Sequence, residues 1–372
     1  MLRLALRNLF QSRVRLGASA GGVALALLLI LALDAVVAGM ERQLTAYIDG
    51  SGADIIVAQG GVRNMHMAAS TMNRSVRSRV RALPGVAAVT PIQYATNMVT
   101  VGEHRHLAYI IGLPRDAAMG LPPRIVAGVA VPRRGEAVID RSVAETAGLR
   151  LGDEVKILGM ELTVAGLAEG TASLVNSVAF IAKDDFLRAR GDGSTVSFLM
   201  VRVTPDANPV AVAASIEALA GDVTAQPRAS FSAEERKVVK DMSADVLTIM
   251  NLVGLLIGLA VMALTIYTAT LARRKEYGVL KALGARSGQL YRAVLWQAAV
   301  SVMLGLGLAV GATLLLAIAL PRLEPNLTLE LTGGSLLKVS GAALLIAGVA
   351  ALLPIRQIVA LDPAQVFRGG GR

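Results

Sequence analysis

Four long apolar runs punctuate the chain, at Leu16–Ala38, Val246–Leu271, Ala293–Leu320 and Leu336–Ile355. The second and third continue for 26 and 28 residues without a charge. At about 1.5 Å of rise per residue, each crosses a hydrocarbon core of about 30 Å with length to spare. The first follows a basic start and competes with a cleaved signal peptide, but its 23 residues exceed a signal core of about 7 to 15. The pattern therefore predicts four transmembrane helices, the first of them uncleaved.

Helical periodicity continues past two of these runs. Met40, Leu44 and Ile48 recur every four residues after the first, and Val238, Met242 and Val246 lead into the second. Ser232 and Glu235 have the spacing of a capping box at the start of that returning helix. The two stripes predict a paired stalk outside the bilayer, or else two helices that each pack on the domain between them. That domain carries apolar runs of strand length at Ala53–Ala58, Val86–Val101, Leu107–Leu113, Ala137–Ile139, Ser177–Ala182 and Ser197–Val203, and the turn Gly152-Asp153 is followed by two further strands. Helices are predicted over Thr71–Leu83, Ser142–Ala147 and Asn208–Ala220. The fold class that follows is an α-helical membrane protein with four transmembrane helices and an α+β extracytoplasmic domain, with a mixed sheet, inserted between the first and second.

Between the second and third spans lies a short basic segment, Ala272–Arg292. Tyr277, Leu280 and Lys281 fall at helical spacing, Leu283 extends the apolar side, Gly284 offers a left-handed stop and Ser287 a cap for the next helix. Composition fits this picture: 54% of residues are hydrophobic but only 3% aromatic, an aliphatic excess typical of helices in lipid. The net charge of +10 is not spread evenly. The segment before Leu16, the central loop and the tail after Pro354 hold thirteen basic residues and two acids, whereas residues 41–241 hold 22 basic and 21 acidic ones. Such a distribution marks the cytoplasmic face and puts both termini there, rather than marking a nucleic-acid surface. The chain has no cysteine, hence no disulfide and no thiol chemistry.

Candidate chemistry is sparse. No phosphate-cradling Gly-x-x-x-x-Gly-Lys-Ser/Thr loop occurs. Glu103, His104 and His106 make a thin metal set, better read as a solvated hairpin. The pairs Gly17/Gly21, Gly254/Gly258 and Gly307/Gly311 permit close helix contact. Asp34 and Asp245 fall near the outer ends of the first two spans, where hydration is the simpler reading than an ion path.

The run RKEYGVLKALGA, Arg274–Ala285, resembles the cytoplasmic motif of the FtsX-like permease family of ABC transporters, which includes MacB-type, Lol-type and DevC-type permeases; the family usually has a smaller aliphatic residue at the place of Tyr277. The opening LRLALRNL, the ectodomain segment GEAVIDRSVAETAGLRLGDEVKI and the tail around Asp362-Pro363 and Arg368 are similar to the family's as well. The resemblance implies an amphipathic segment over 1–15, spans at 16–38, 246–271, 293–320 and 336–355, and an ectodomain with stalks over 39–245. It also implies a coupling loop over 272–292, an outer loop over 321–335 and a tail over 356–372. The coupling helix would sit in a groove of a separate ATPase, with Arg274, Glu276, Tyr277, Leu280, Lys281 and Leu283 at the contact and Gly284 ending the helix. ATP and Mg would belong to two copies of that ATPase, with no cofactor and no enzymatic activity in this chain. A second permease, as homodimer or heterodimer, an extracytoplasmic adaptor or enzyme, and the bacterial inner membrane complete the expected setting. The implied task is export or extraction of a lipid, lipoprotein, peptide or drug; the alternative is transmembrane signalling that regulates an extracytoplasmic enzyme and moves no cargo.

Overall fold

The structure, a computed structural model, describes residues 13–359 apart from 102–103, 174–175, 192, 273, 284 and 325. The amphipathic opening and the Asp362–Arg368 tail fall outside the described residues. Contacts divide the chain into two compact units: an ectodomain of residues 39–242 with 324–328, and a helical unit made of the remainder.

The first helix, α1 (Arg13–Gly50), runs unbroken from the helical unit into the ectodomain. There follow β1 (Ile55–Gln59), β2 (Met72–Asn73), α2 (Ser75–Arg81), β3 (Val86–Val101), β4 (His104–Leu113), β5 (Ile125–Gly128) and β6 (Glu136–Asp140). Next come α3 (Arg141–Thr146), β7 (Glu154–Ile157), β8 (Met160–Ala168), β9 (Ser177–Ala182), α4 (Lys183–Arg190), β10 (Thr195–Val196), β11 (Phe198–Val203), α5 (Pro209–Ala220) and β12 (Val223–Pro227).

Ten of the strands form one mixed sheet, ordered β12-β1-β11-β3-β4-β9-β6-β8-β5, with β7 pairing β3 and β8. The β4–β9 and β6–β8 pairs are parallel and the others antiparallel. The sixteen-residue strand β3 joins the halves: Val86–Ile92 pairs with β11 and Gln93–Val101 with β4. Pro91 sits in the part whose described ladder has a partner on one side only, so its missing N–H breaks no second ladder.

Alternation along the strands sorts side chains into separate cores. Ile56, Ala58, Tyr109, Ile111, Phe180, Phe198 and Met200 share one face, where Tyr47, Ile48 and Phe231 cover them. On the opposite face, Ile55, Val57, Leu199 and Val201 pack under α2 and α5, through Val76, Val80, Val212 and Ile216. Ala108, Ile110, Ala137, Ile139, Ala179 and Ile181 pack with Val143, Ala144 and Phe186 of α3 and α4. Asp140 ties this second half together: Oδ1 accepts the N–H of Ser142 at the start of α3, and Oδ2 accepts the N–H and hydroxyl of Thr171.

Three local expectations need correction. The helix foreseen from Thr71 starts only at Ser75, because Met72 and Asn73 pair with β10 and Asn73 Oδ1 accepts the Ser75 N–H. Four strands, β2, β5, β10 and β12, were not anticipated; each is short or edge-like and gains its order from pairing. Ser232 and Glu235 form no capping box, since the next helix, α6 (Arg228–Ala272), already begins at Arg228. Instead Ser232 Oγ donates to Asp49 Oδ1 at 2.6 Å, and the buried Glu235 accepts from Met65 N and His66 Nδ1.

Within the ectodomain the ends of α1 and α6 are linked by Glu41–Lys240 and Asp49–Arg236 ion pairs. Their stripes differ in fate. Ile48 is 1% exposed in the sheet's core, while Met242 is 75% exposed.

The helical unit continues with α7 (Arg274–Ala282), α8 (Ser287–Leu323) and α9 (Gly333–Val359). Among the described residues four helices are long and apolar enough to cross a membrane, over Gly17–Gly50, Arg228–Ala272, Gly288–Leu323 and Gly333–Leu352. Their common core holds Leu27, Leu31, Ile266, Ala298, Val339 and Ile346. Among the glycine pairs, only Gly254/Gly258 marks a contact: a Cβ at either would press on Ile30 or on Ile346 and Ala26. Gly17, Gly21, Gly307 and Gly311 face open space, and their neighbours Gly22 and Gly305 make the close approaches, to Val261 and to Ala20 and Val23. Period alone does not separate adjacent positions on a helix that is apolar all round. Asp34 is held by Lys338, Nζ to Oδ1 at 3.0 Å, with its side chain 10% exposed, so it is an ion-pair partner rather than a hydrated boundary acid. Asp245 is exposed.

Candidate coupling surface

The helix α7 is built from RKEYGVLKA and follows α6 after a single residue. Its amphipathic pattern divides it cleanly. Tyr277 and Gly278 face inward; Tyr277 is 9% exposed and joins the apolar cluster with Met262 and Ile266 of α6 and Leu290 and Val294 of α8. The outward stripe is Glu276, Val279, Leu280 and Leu283, spaced at i, i+3, i+4 and i+7. Val279 is 42% exposed, Leu280 40% and Leu283 79%. Lys281 is half-buried, and Arg286 and Arg292 are exposed.

The end of α7 is defined by backbone bonds. Leu283 N donates to Val279 O, and Ala285 N reaches five residues back to Leu280 O at 2.9 Å, the wrap that closes a Schellman stop. Gly284 falls outside the described residues, as do the side chains of Arg274 and Ser287. The next helix starts with Arg286 in the capping place rather than Ser287, and Gln289 Oε1 returns to accept the Arg286 N–H at 3.2 Å.

The sequence-derived set is therefore split. Glu276, Leu280 and Leu283 lie on the outward face and Lys281 at its edge, whereas Tyr277 belongs to the chain's own core. Val279 joins the stripe; its spacing from Glu276 and Leu283 was the available signal. Three-and-four spacing gives which residues share a side with Tyr277, and not which side the spans cover. Among the described residues no group of His, Asp and Glu is arranged to hold a metal. His104 and His106 pair with Val101 and Val99 in the β3–β4 hairpin, and their side chains are not among those described.

Residues 17–219 match the family model for the MacB-like periplasmic core domain, and residues 248–363 match that for the FtsX-like permease C-terminal region. The chain belongs to the MacB/FtsX-like family of ABC transporter permeases. An uncharacterized ABC transporter permease of Mycobacterium tuberculosis is 22% identical over 369 residues, 99% of this permease and 100% of the relative. A second from the same organism is 21% identical over the same length. Among solved structures, the periplasmic region of MacB from Actinobacillus actinomycetemcomitans aligns with 50% of this permease and 94% of that chain, at 17% identity and a TM-score of 0.39. The extracellular domain of the noncanonic ABC-type transporter YknZ from Gram-positive bacteria aligns with 47% of this permease and 100% of that chain, at 11% identity and a TM-score of 0.37. Membership makes this a multi-pass membrane protein with a partner ATPase.

Proposed function

We propose that this permease spans the inner membrane four times with both termini in the cytoplasm, and passes ATP-driven motion of a separate ATPase to its ectodomain. Docking is by α7, whose Glu276, Val279, Leu280 and Leu283 enter a groove of the partner, flanked by basic residues. The observation that carries this reading is an apolar stripe left exposed on a helix whose other side is anchored in the span core through Tyr277. A soluble surface has no reason to keep Leu283 79% exposed next to Val279 and Leu280.

The onward route is α6. Its 45 residues, Arg228–Ala272, form one uninterrupted helix, and we take it as the rod that carries the motion. Glu235 on this rod is fully buried in the ectodomain, where it accepts from Met65 and His66, so displacement of the rod would pull directly on the domain. The assembly is a pair of permeases with two ATPases, and the task is export or extraction of an amphipathic substrate. The helical unit supports a mechanical device over a hydrophilic pore, since Asp34 is tied to Lys338 and Ser19 to Ser301.

The test is co-purification of the ATPase with the tagged permease, wild type against Leu280→Asp. Stoichiometric ATPase retained by wild type and lost from a monodisperse variant is the expected result. Equal retention by both refutes α7 as the docking element.

A further inference from the structure

Positive charge in the ectodomain is concentrated in one stretch. Residues 55–102 contain five arginines and no acid, although residues 41–241 as a whole nearly balance. Four of the five, Arg74, Arg77, Arg79 and Arg81, fall on or beside the short helix α2, which is seated on the sheet by Val76 and Val80. Arg74, itself in helical conformation, stands at i, i+3 and i+7 with Arg77 and Arg81. These three share one flank of the helix, about 10 Å long, and Arg79 falls on the other.

A fourth cation reaches this flank from another element. Asn73, next to Arg74, pairs with Thr195 in the β2–β10 ladder, and the Thr195 carbonyl accepts from Nε2 of the buried Gln93. The Cβ atoms of Gln93 and of Phe186 on α4 both crowd the place where Gly112 lacks a side chain. α2 and α4 therefore flank one glutamine, and Lys183, the first residue of α4, comes under the charges of Arg74 and Arg77. Burial first, and then these two arginines, lower the Lys183 pKa; Asp184 and Asp116 oppose them and are outweighed. Arg77 and Lys183 are half-buried. Among the described residues none of Arg74, Arg77, Arg81 and Lys183 has an ion-pair partner. A lone arginine in water needs none. Here folding gathers four cations from two elements against their repulsion, two of them partly out of water. An oxyanion of more than one charge offsets that cost, and the planar guanidinium fork matches a phosphate. The short span of the cluster suits one such group better than an extended acidic chain.

We propose that the seam between α2 and the start of α4 binds a phosphate group of two or more charges, held by Arg74, Arg77 and Arg81 on one side and Lys183 on the other. A soluble phosphate compound and the phosphorylated headgroup of a lipid present the same chemistry to the seam. The site lies wholly within the ectodomain and does not depend on the coupling reading.

The probe is pyrophosphate, titrated into the full chain in maltoside detergent at about 0.15 M salt, where long-range attraction is screened, and followed by calorimetry and phosphorus NMR. Arg77→Gln and Lys183→Gln should each weaken binding about tenfold, the scale of one hydrogen bond between charged groups. Arg79→Gln removes the same charge from the opposite flank and should weaken it by less than about threefold. Arg77→Lys keeps the charge without the fork and should fall between wild type and Arg77→Gln, and a thermal scan of every variant separates loss of the site from loss of the fold. Short-chain phosphatidic acid, below its micellar concentration, distinguishes the sources: tighter binding than pyrophosphate supports the site as one for a lipid headgroup, and weaker binding supports it as one for a soluble ligand. Equal weakening by Arg77→Gln and Arg79→Gln, no pyrophosphate binding at about 10 mM, or an aspartate-rich peptide held by these residues where pyrophosphate is not, would each overturn the assignment. These variants leave α7 untouched, so ATPase co-purification tests the coupling reading separately.

Discussion

The split of α7 into an anchored and an outward side sets a graded expectation for alanine substitutions. Leucine to alanine removes three carbons, worth about 0.8 kcal/mol each when fully buried. Only area still exposed in the free permease can be gained on docking. With Leu283 79% exposed and Leu280 40% exposed, full burial in a partner groove gives losses of about 2 and about 1 kcal/mol. In affinity these are roughly thirty-fold and five-fold. Tyr277→Ala differs in kind: the ring is 9% exposed within the span cluster, so its removal should cost about 3 kcal/mol of folding stability. The assay is biolayer interferometry of the ATPase on permease in nanodiscs, with a thermal scan of each variant. The expected order of lost affinity is Leu283 above Leu280 with unchanged melting, and a lowered melting temperature for Tyr277→Ala. Equal losses at the two leucines, or a Tyr277→Ala variant that melts normally and fails to dock, would refute the assigned faces.

Further expectations concern other parts of the molecule. Gly22→Ala places a Cβ into Val261 and should lower the melting temperature through overpacking of about 1 to 3 kcal/mol, whereas Gly307→Ala, with open space around it, should not; comparable melting of both would remove Gly22 as a contact point. Lys338→Met leaves Asp34 without its 3.0 Å partner and should destabilise the helical unit by about 3 kcal/mol, with Asp34→Asn/Lys338→Met recovering much of the loss in the same thermal scan. The Lys183 ammonium has a pKa held below the ordinary lysine value of 10.5 by burial first and by Arg74 and Arg77 next. The folded state then releases that proton before the unfolded state does, so stability contributed by Lys183 rises as pH climbs through its lowered value toward 10.5. Lys183→Gln should flatten that rise and raise the melting temperature at neutral pH; a variant with an unchanged pH profile would contradict the assignment.

How far the sequence carried the fold is visible element by element. The helices long enough for a bilayer follow from uninterrupted apolar runs such as Val246–Leu271, because lipid imposes the same demand on every side of a helix and no partner has to be known. Most sheet strands were legible for a related reason: Ile55–Ala58 and Phe198–Val201 are apolar on both faces, and short runs of that kind suit a sheet covered on both sides. The short strands β2, β5, β10 and β12 were not legible, since a two-residue or half-exposed strand is stabilised by its neighbour and hardly by its own composition.

The candidate surface shows the same boundary. The motif itself gave an amphipathic helix with a stop near Gly284, and the Ala285-to-Leu280 bond fits that local chemistry. Which flank of the helix the spans would cover depended on Leu290 and Val294 arriving from α8, and that decided Tyr277 inward and Val279 outward. Ser232 and Glu235 had a capping spacing, yet their partners Asp49, Met65 and His66 lie 169 to 183 residues away in sequence. Where helices, strands and charge accumulate is readable along the chain, because it follows from each residue's own transfer free energy and backbone preference. Which polar groups meet is set by packing, because a buried carboxylate takes whichever donors the folded chain brings to it.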